Sequence, residues 1–325
     1  MKVGILGAGK IACKMAETIN LLNDQDVELY AIGSSSYKRS EEFAKKYGIE
    51  KAYGSYEELV SDEAIDLIYV ATIHSKHFEH ALLCLNHQKN VLVEKPFTLN
   101  VKEAKHLFEV AKEKNLFICE AMWTRFMPSA KYFKEIIKSQ VIGEVYSVSA
   151  NIGYNLANVE RMNDLTCGGG ALLDIGIYLL HFAMMVCGDD VKEVNGQCVK
   201  LPSGVDGLDS ITMIYPNKIA SLHATMLSNS DNHGYIYGSL GYLKVDNINN
   251  PQKIERFNNE HQCVEVVDFS KQLTGFEDEL LASLKAIKEN KLECREVSHQ
   301  LTLQVLAIMD ELRKSWQVIY PSDCF

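Results

Sequence analysis

Val3-Gly4-Ile5-Leu6-Gly7-Ala8-Gly9-Lys10-Ile11-Ala12 is the stretch that decides the fold. A short apolar strand runs into a glycine turn, and Ile11 to Leu22 continues at helical spacing. The turn reads GxGxxA, one form of the dinucleotide-binding turn. Gly7 permits the tight bend, Gly9 lets a pyrophosphate approach the backbone, and Ala12 allows the helix to pack closely on the strand. The first helical turn, with Lys10 and Ile11, presents unpaired N–H groups and a positive dipole end to phosphates. Alone the pattern is weak; a strand before it and a helix after it supply its context.

Outward from this turn the same rhythm repeats. Val27 to Ile32, Ile65 to Ala71, Asn90 to Val93 and Leu116 to Cys119 read as strands. Ser40 to Tyr47, about Lys76 to Asn86 and Val101 to Lys114 read as the helices between them. Alternating βα units predict a doubly wound parallel sheet over residues 1–120. Beyond it the rhythm changes. A helix around Lys131 to Lys138, a strand from Val145 to Ile152 and an apolar helix from Ala171 to Cys187 come first. Five strand-like runs follow: Lys192 to Leu201, Ser210 to Tyr215, Ile219 to Leu227, Gly234 to Tyr237 and Tyr242 to Val245, with a turn at Pro216-Asn217. Consecutive strands predict an open, mostly antiparallel sheet, hence an α+β domain over 121–325. Helices at about Phe276 to Glu289 and Val297 to Lys314 close the chain and are free to pack back on the first domain.

The composition agrees with this reading. At 325 residues the chain can bury roughly three quarters of its unfolded surface. Hydrophobic residues at 47% and charged residues at 23% argue against disorder. A net charge of −10 disfavours nucleic acid or an anionic membrane as partner. The apolar run from Ala171 to Cys187 is short for a membrane span and carries Asp174 and His181, so a buried core helix is expected. Nine cysteines without a CxxC predict reduced thiols, and with no apolar leader after Met1-Lys2 a cytoplasmic protein is expected.

Three further stretches carry candidate chemistry. Where an acidic residue would bind a ribose diol, the second strand ends in Gly33-Ser34-Ser35-Ser36-Tyr37-Lys38-Arg39. Hydroxyls and cations suit a 2′-phosphate, so the charge pattern favours NADP over NAD. Glu94-Lys95-Pro96 ends the fourth strand, at the edge where open α/β sheets bind ligands. In Cys167-Gly168-Gly169-Gly170-Ala171-Leu172-Leu173-Asp174-Ile175-Gly176-Ile177-Tyr178, three glycines open a helix on which Asp174 and Tyr178 share a face. On an apolar helix such a pair needs partners. His74, His77 and His80 are spaced so that the outer two diverge by about 120° on a helix, and no metal is expected there. Cys167 reads as a small packed residue.

Taken together, the glycine turn, Glu94-Lys95-Pro96 and the Gly168–Tyr178 stretch resemble the glucose-fructose oxidoreductase/inositol dehydrogenase (Gfo/Idh/MocA) family. Glu120-Ala121-Met122-Trp123-Thr124-Arg125-Phe126-Met127-Pro128 is similar to the branch holding dimeric dihydrodiol dehydrogenase and NADP-linked xylose dehydrogenase. The resemblance spans essentially the whole chain. It implies a Rossmann domain joined to an open-sheet domain, and an NAD(P)-dependent dehydrogenase acting on a sugar, polyol or diol. Lys95 matches the family's catalytic Lys, Tyr178 its acid/base position and Asp174 the Asp one turn earlier; the Lys95-Pro96 bond is expected to be cis.

The implied cofactor cleft takes in Gly7, Gly9, Lys10, Ile11, Ser34, Ser35, Arg39, Ala71, Thr72, His77, Glu94 and Lys95. Trp123, Arg125, Tyr154 and Arg161 are candidate substrate contacts, with Asn155 beside them. There are two departures from the family. Ile73-His74 replaces the usual Pro-Asn, although His77 falls on the family's His, and Ser35 stands where the branch often has Arg, leaving Arg39 as stand-in. The branch implies a homodimer through the C-terminal sheet. Two competing readings are a non-catalytic NAD(P)-binding regulator and a redox-neutral NAD-using glycosidase. Retention of Lys95, Asp174 and Tyr178 argues against the first.

Overall fold

The computed structural model describes residues 1–22 and 26–323. It divides into two compact units, Met1–Trp123 with Leu273–Leu303 and Thr124–Gln272 with Gln304–Phe325. The segment Leu273–Leu303, placed from sequence in the later domain, thus clusters with the first unit.

The first unit carries strands β1 (Lys2–Leu6), β2 (Glu28–Gly33), β3 (Lys51–Tyr53), β4 (Leu67–Val70), β5 (Asn90–Glu94) and β6 (Ile118–Ala121). All pairings are parallel, in the order β3-β2-β1-β4-β5-β6. The central strands β1, β4 and β5 are almost wholly buried, as a sheet covered on both faces requires. Helices α1 (Lys10–Leu22), α2 (Tyr37–Tyr47), α3 (Tyr56–Ser61), α4 (His77–Asn86) and α5 (Val101–Lys114) connect them. The doubly wound sheet is as expected. The sequence reading passed over β3 and α3, because β3 is half-exposed and has no apolar run. A cap signal was available for α3: the Ser55 side chain accepts from the Glu58 N–H at 3.1 Å. β6 begins at Ile118 where Leu116 was expected.

In the second unit, helix α6 (Pro128–Ser139) precedes an eight-stranded sheet. Its strands are β7 (Val145–Gly153), β8 (Glu193–Lys200), β9 (Asp206–Ile214), β10 (Ile219–Thr225), β11 (Gly234–Gly238), β12 (Gly241–Val245), β13 (Lys253–Phe257) and β14 (Cys263–Asp268). The order is β14-β13-β12-β11-β7-β10-β9-β8, antiparallel except for the parallel pair β7–β10. The expected turn at Pro216-Asn217 joins β9 to β10, closed by the Tyr215 N–H on the Lys218 carbonyl at 2.9 Å. β10 alternates exposed Ile219, Ser221 and His223 with buried Ala220, Leu222 and Ala224, so the sheet has one covered and one open face.

The covered face meets helix α7 (Ile177–Cys187), buried from Ile177 to Val186. An α-helix from Ala171 was expected. The structure instead has a π turn over Leu172–Gly176 before α7, a device that recurs at functional sites. The apolar stretch Leu165–Cys187 is long enough to cross a membrane by length and composition, but 94% of its most apolar window is buried inside the protein. The last helices are α8 (Glu277–Lys288), in the first unit, and α9 (His299–Trp316). The eight cysteines among the described residues are free thiols; Cys324 lies outside the described residues.

Candidate active site

In the first unit, the candidate residues gather at the carboxyl ends of β1, β2, β4 and β5. Gly7 has φ +106°, and a Cβ there would stand 2.8 Å from the Ala71 carbonyl oxygen, so the turn admits no side chain. Gly9 is different. Its φ lies outside the left-handed region, and a Cβ would meet nothing nearer than Ala71 O at 3.8 Å. The fold itself does not require glycine at position 9. The space is left open at the start of α1, beside exposed Lys10 and half-buried Ile11. A phosphate group fits there, as it needs close approach to helix N–H groups.

At the end of β2, Arg39 donates from Nη2 to Ser35 Oγ at 2.8 Å, on the exposed rim. Ser34 does not join them. It is fully buried, and its hydroxyl donates to Ser36 O at 2.8 Å and accepts from Ser40 Oγ at 2.9 Å. Its side chain is spent on the turn and is unavailable to a cofactor. Lys38 faces Glu42 across 4.0 Å in an exposed pair. Tyr37, which opens α2 and is 59% exposed, presents an aromatic ring at this rim that the sequence reading missed.

The Lys95-Pro96 peptide is cis, as expected from the resemblance. Glu94 lies beneath it, accepting the Tyr69 hydroxyl at Oε1 and the Lys95 N–H at Oε2, the latter at 3.2 Å. Burial pushes its carboxyl up to about 7 against these hydrogen bonds and the Lys95 charge. On α8, Glu279 is fully buried and neither carboxyl oxygen has a hydrogen-bond partner among the described residues; burial and the Glu94 charge hold it well above the carboxylate range. His77 Nδ1 lies 2.7 Å from Pro96 O and Nε2 3.1 Å from Thr72 O. Burial depresses this imidazole to about 3. His77 is therefore a neutral brace between two strand ends. His80 is engaged by the Thr72 hydroxyl at 3.0 Å and by the Tyr56 ring. One brace was not visible in sequence: Glu120 accepts the Phe97 N–H at 3.0 Å and the Thr302 hydroxyl at 2.9 Å. Trp123 stacks on Phe276, ring centroids 4.7 Å apart.

In the second unit the glycine loop is shaped by its own surroundings. A Cβ on Gly169 would stand 2.5 Å from Met162 O, and one on Gly170, at φ +118°, 2.2 Å from Asp206 Oδ1. The Tyr320 hydroxyl donates to Gly169 O at 2.6 Å. Asp174 and Tyr178, 7% and 8% exposed, project from the π turn and the first turn of α7. Arg161 Nη1 lies 3.6 Å from Asp174 Oδ1, so these two candidates do meet. Arg125 is buried and donates from Nε to His181 Nδ1 at 2.7 Å and from Nη2 to His181 O at 3.4 Å. Its guanidinium is held by His181. Burial and Arg125 keep His181 neutral. Tyr154 donates to Asn249 Oδ1 at 3.1 Å, and Asn155 N–H to Asn229 Oδ1 at 3.0 Å. Cys167 donates to Asp164 at 3.4 Å, and burial raises its thiol, which is packed as expected.

This arrangement has known counterparts. Residues 1–121 match the oxidoreductase family with an NAD-binding Rossmann fold, and residues 130–244 match the GFO/IDH/MocA C-terminal domain. The chain is 31% identical over 334 residues to a trans-1,2-dihydrobenzene-1,2-diol dehydrogenase of Danio rerio, covering 99% of each chain. It is 33% identical over 256 residues to the same-named protein of Mus musculus, covering 78% of this chain and 77% of the relative. Among solved structures, a 3-ketoreductase from Actinomadura kijaniata in complex with NADP superposes with a TM-score of 0.88 at 23% identity, covering 98% of this chain and 99% of that one. An aldose-aldose oxidoreductase from Caulobacter crescentus superposes with a TM-score of 0.86 at 19% identity, covering 98% and 97%.

Proposed function

The chain belongs to the Gfo/Idh/MocA oxidoreductase family, and from that premise we propose that this NAD(P)-dependent dehydrogenase oxidises a vicinal diol or cyclic sugar alcohol with NADP+. The full-length similarity to a trans-dihydrodiol dehydrogenase carries the choice of a diol. The turn at Gly7 and Gly9, the N-terminus of α1 and the Ser35–Arg39 rim would hold the dinucleotide, Arg39 taking the 2′-phosphate.

When bound, the oxidised nicotinamide supplies a two-electron acceptor for the hydride leaving the carbinol carbon. The chain must handle the proton. We assign Tyr178 Oη to take it from the hydroxyl. A phenol titrates at about 10 when unperturbed, so a base role needs a cation to stabilise the phenolate. Lys95 is assigned that part and also holds the substrate oxygen. Asp174 orients the hydroxyl groups, with Arg161 at 3.6 Å as its neighbour on the exposed side.

We further propose a homodimer through the open face of the second unit's sheet. That face carries exposed Tyr146, Ile219 and Tyr237, and a row of rings through Tyr235, Tyr237, Tyr242 and Phe257. Uncovered apolar surface of this kind marks an interaction site. A sedimentation mass equal to one chain at micromolar concentration would refute the dimer.

The function is tested by offering trans-dihydrodiols, inositols and aldoses with NADP+ and NAD+ and reading reduced-nicotinamide absorbance. Turnover of a trans-diol with NADP+ is expected. Cofactor that co-purifies without net turnover of any alcohol would overturn the reading.

A further inference from the structure

Asp206 and Asp209 are both fully buried, three residues apart on β9. Side chains three apart on a strand normally point to opposite faces. Here the pairing with β8 shifts register, Leu208 facing Val199 and Asp206 facing Lys200, so Gly207 is an extra residue. The bulge turns both carboxyls to the covered side of the sheet. Asp206 Oδ2 accepts the Leu172 N–H at 2.6 Å, at the first residue of the π turn that carries Asp174. Asp206 Oδ1 packs against Gly170.

Written as two carboxylates, the pair leaves Asp206 Oδ1 and both oxygens of Asp209 buried without a donor among the described residues. Two adjacent buried negative charges are also mutually repulsive. One proton on Asp209, donated to Asp206 Oδ1, gives that oxygen a donor and removes the repulsion. We propose that Asp206 and Asp209 form a one-proton carboxyl pair in which Asp206 positions the π turn that bears Asp174 and leads into Tyr178.

The groups facing the pair are consistent with a single negative charge. Arg313 of α9 and the Tyr320 ring act on Asp206, and Cys198 of β8 lies within the field of both acids. Across from Asp209, β10 contributes only Ala224. Arg313 is itself held by Asp310 and Asp323, both at 2.6 Å, and lies over the Tyr320 ring. Burial and Asp206 keep the Asp209 carboxyl well above its ordinary range, and burial raises Asp206 to about 6. Ionising Asp209 would place a second charge beside the acceptor of the Leu172 N–H. It would loosen the seating of the turn as pH rises.

The inference rests on the proposed role of Tyr178 for its catalytic consequence but not for its chemistry, so two readouts are needed. The first is the infrared difference spectrum of wild type minus Asp209→Asn at neutral pH. A buried neutral-carboxyl band belonging to Asp209 is expected; its absence overturns the pair whatever the enzyme does. The second is kinetic. Asp206→Ala, which removes the acceptor of the Leu172 N–H, is expected to lower kcat by about 10²-fold, the cost of roughly 1 Å of misplacement, with NADPH affinity unchanged. Asp209→Asn, whose amide N–H can replace the carboxyl proton, is expected to retain kcat. It should also remove part of the fall in stability as pH rises above the carboxylate range, because the raised group is protonated in the folded chain and ionised in the unfolded one. Full kcat in Asp206→Ala overturns the positioning role. If that variant does not fold, the infrared band and the Asp209→Asn pH dependence decide. A wild type inactive on every alcohol defeats the proposed function and leaves the infrared test standing.

Discussion

His77 Nδ1 stands 2.7 Å from the carbonyl oxygen of Pro96, and so ties the helix that follows β4 to the corner that presents Lys95. Because a carbonyl only accepts, His77 must donate, and a neutral imidazole has one N–H to give. Assigning it to Nδ1 serves the shorter contact. Replacing His77 by Ala leaves Pro96 O without this donor in a buried place, and should cost about 1–3 kcal/mol. Chemical denaturation measures this directly. Since burial holds the folded-state value at about 3, His77 contributes stability above its unfolded value of about 6.5 that is lost as pH falls toward 3. The acid limb of the stability profile should therefore flatten in His77→Gln. An unchanged limb would exclude His77 as a source of acid sensitivity.

Lys95→Ala and Tyr178→Phe should each lower kcat by about 10²–10⁴-fold, the range for removing an acid–base group, while NADPH binding stays nearly intact. Stopped-flow turnover with a trans-diol, alongside fluorescence titration of NADPH, separates the two effects. Full turnover in Tyr178→Phe would transfer the proton-carrying role to another group, Lys95 first.

Arg39 is held on the rim by Ser35 Oγ at 2.8 Å, while Ser34 is consumed within the turn. In the proposed function, discrimination between NADP and NAD falls on the Arg39 guanidinium. Charge-assisted hydrogen bonds contribute roughly 1.5–3 kcal/mol, so Arg39→Ala should raise the KM for NADP+ by about 10- to 100-fold and leave that for NAD+ nearly unchanged. Equal weakening of both would place the 2′-phosphate elsewhere.

What the sequence made legible follows from how local each signal is. The strand ending at Leu6, the turn at Gly7 and Gly9, Lys95 at the end of β5 and the Asp174–Tyr178 spacing each lie within one short stretch. The strand sits in buried, apolar surroundings that fix its period. β13 and β14 carry no buried apolar alternation: β14 is half-exposed to exposed throughout and β13 buries only Ile254 fully. The braces were missed for another reason. Glu120 meets Thr302 across 182 positions, Arg125 meets His181 across 56, and Leu172 meets Asp206 across 34. A lone Arg near a site motif, such as Arg125, carries no sign of its partner. The π turn at Leu172 was equally hidden, since the apolar run reads the same at either helical pitch.

The glycines separate what the fold demands from what a ligand demands. Gly170→Ala would put a methyl 2.2 Å from Asp206 Oδ1 at φ +118°, where an L side chain is strained by about 1–3 kcal/mol before the clash is counted. Thermal unfolding should show a clear loss of stability, with NADPH affinity little altered in the folded fraction. Gly9→Ala meets only Ala71 O at 3.8 Å and requires no left-handed backbone. Restricting the unfolded chain should leave stability equal or higher by about 0.4–1 kcal/mol. Its methyl would occupy the space where the pyrophosphate approaches the backbone, so NADPH binding should weaken sharply. Stability lost in Gly9→Ala, or dinucleotide affinity kept, would mean that this opening serves the fold and not the cofactor.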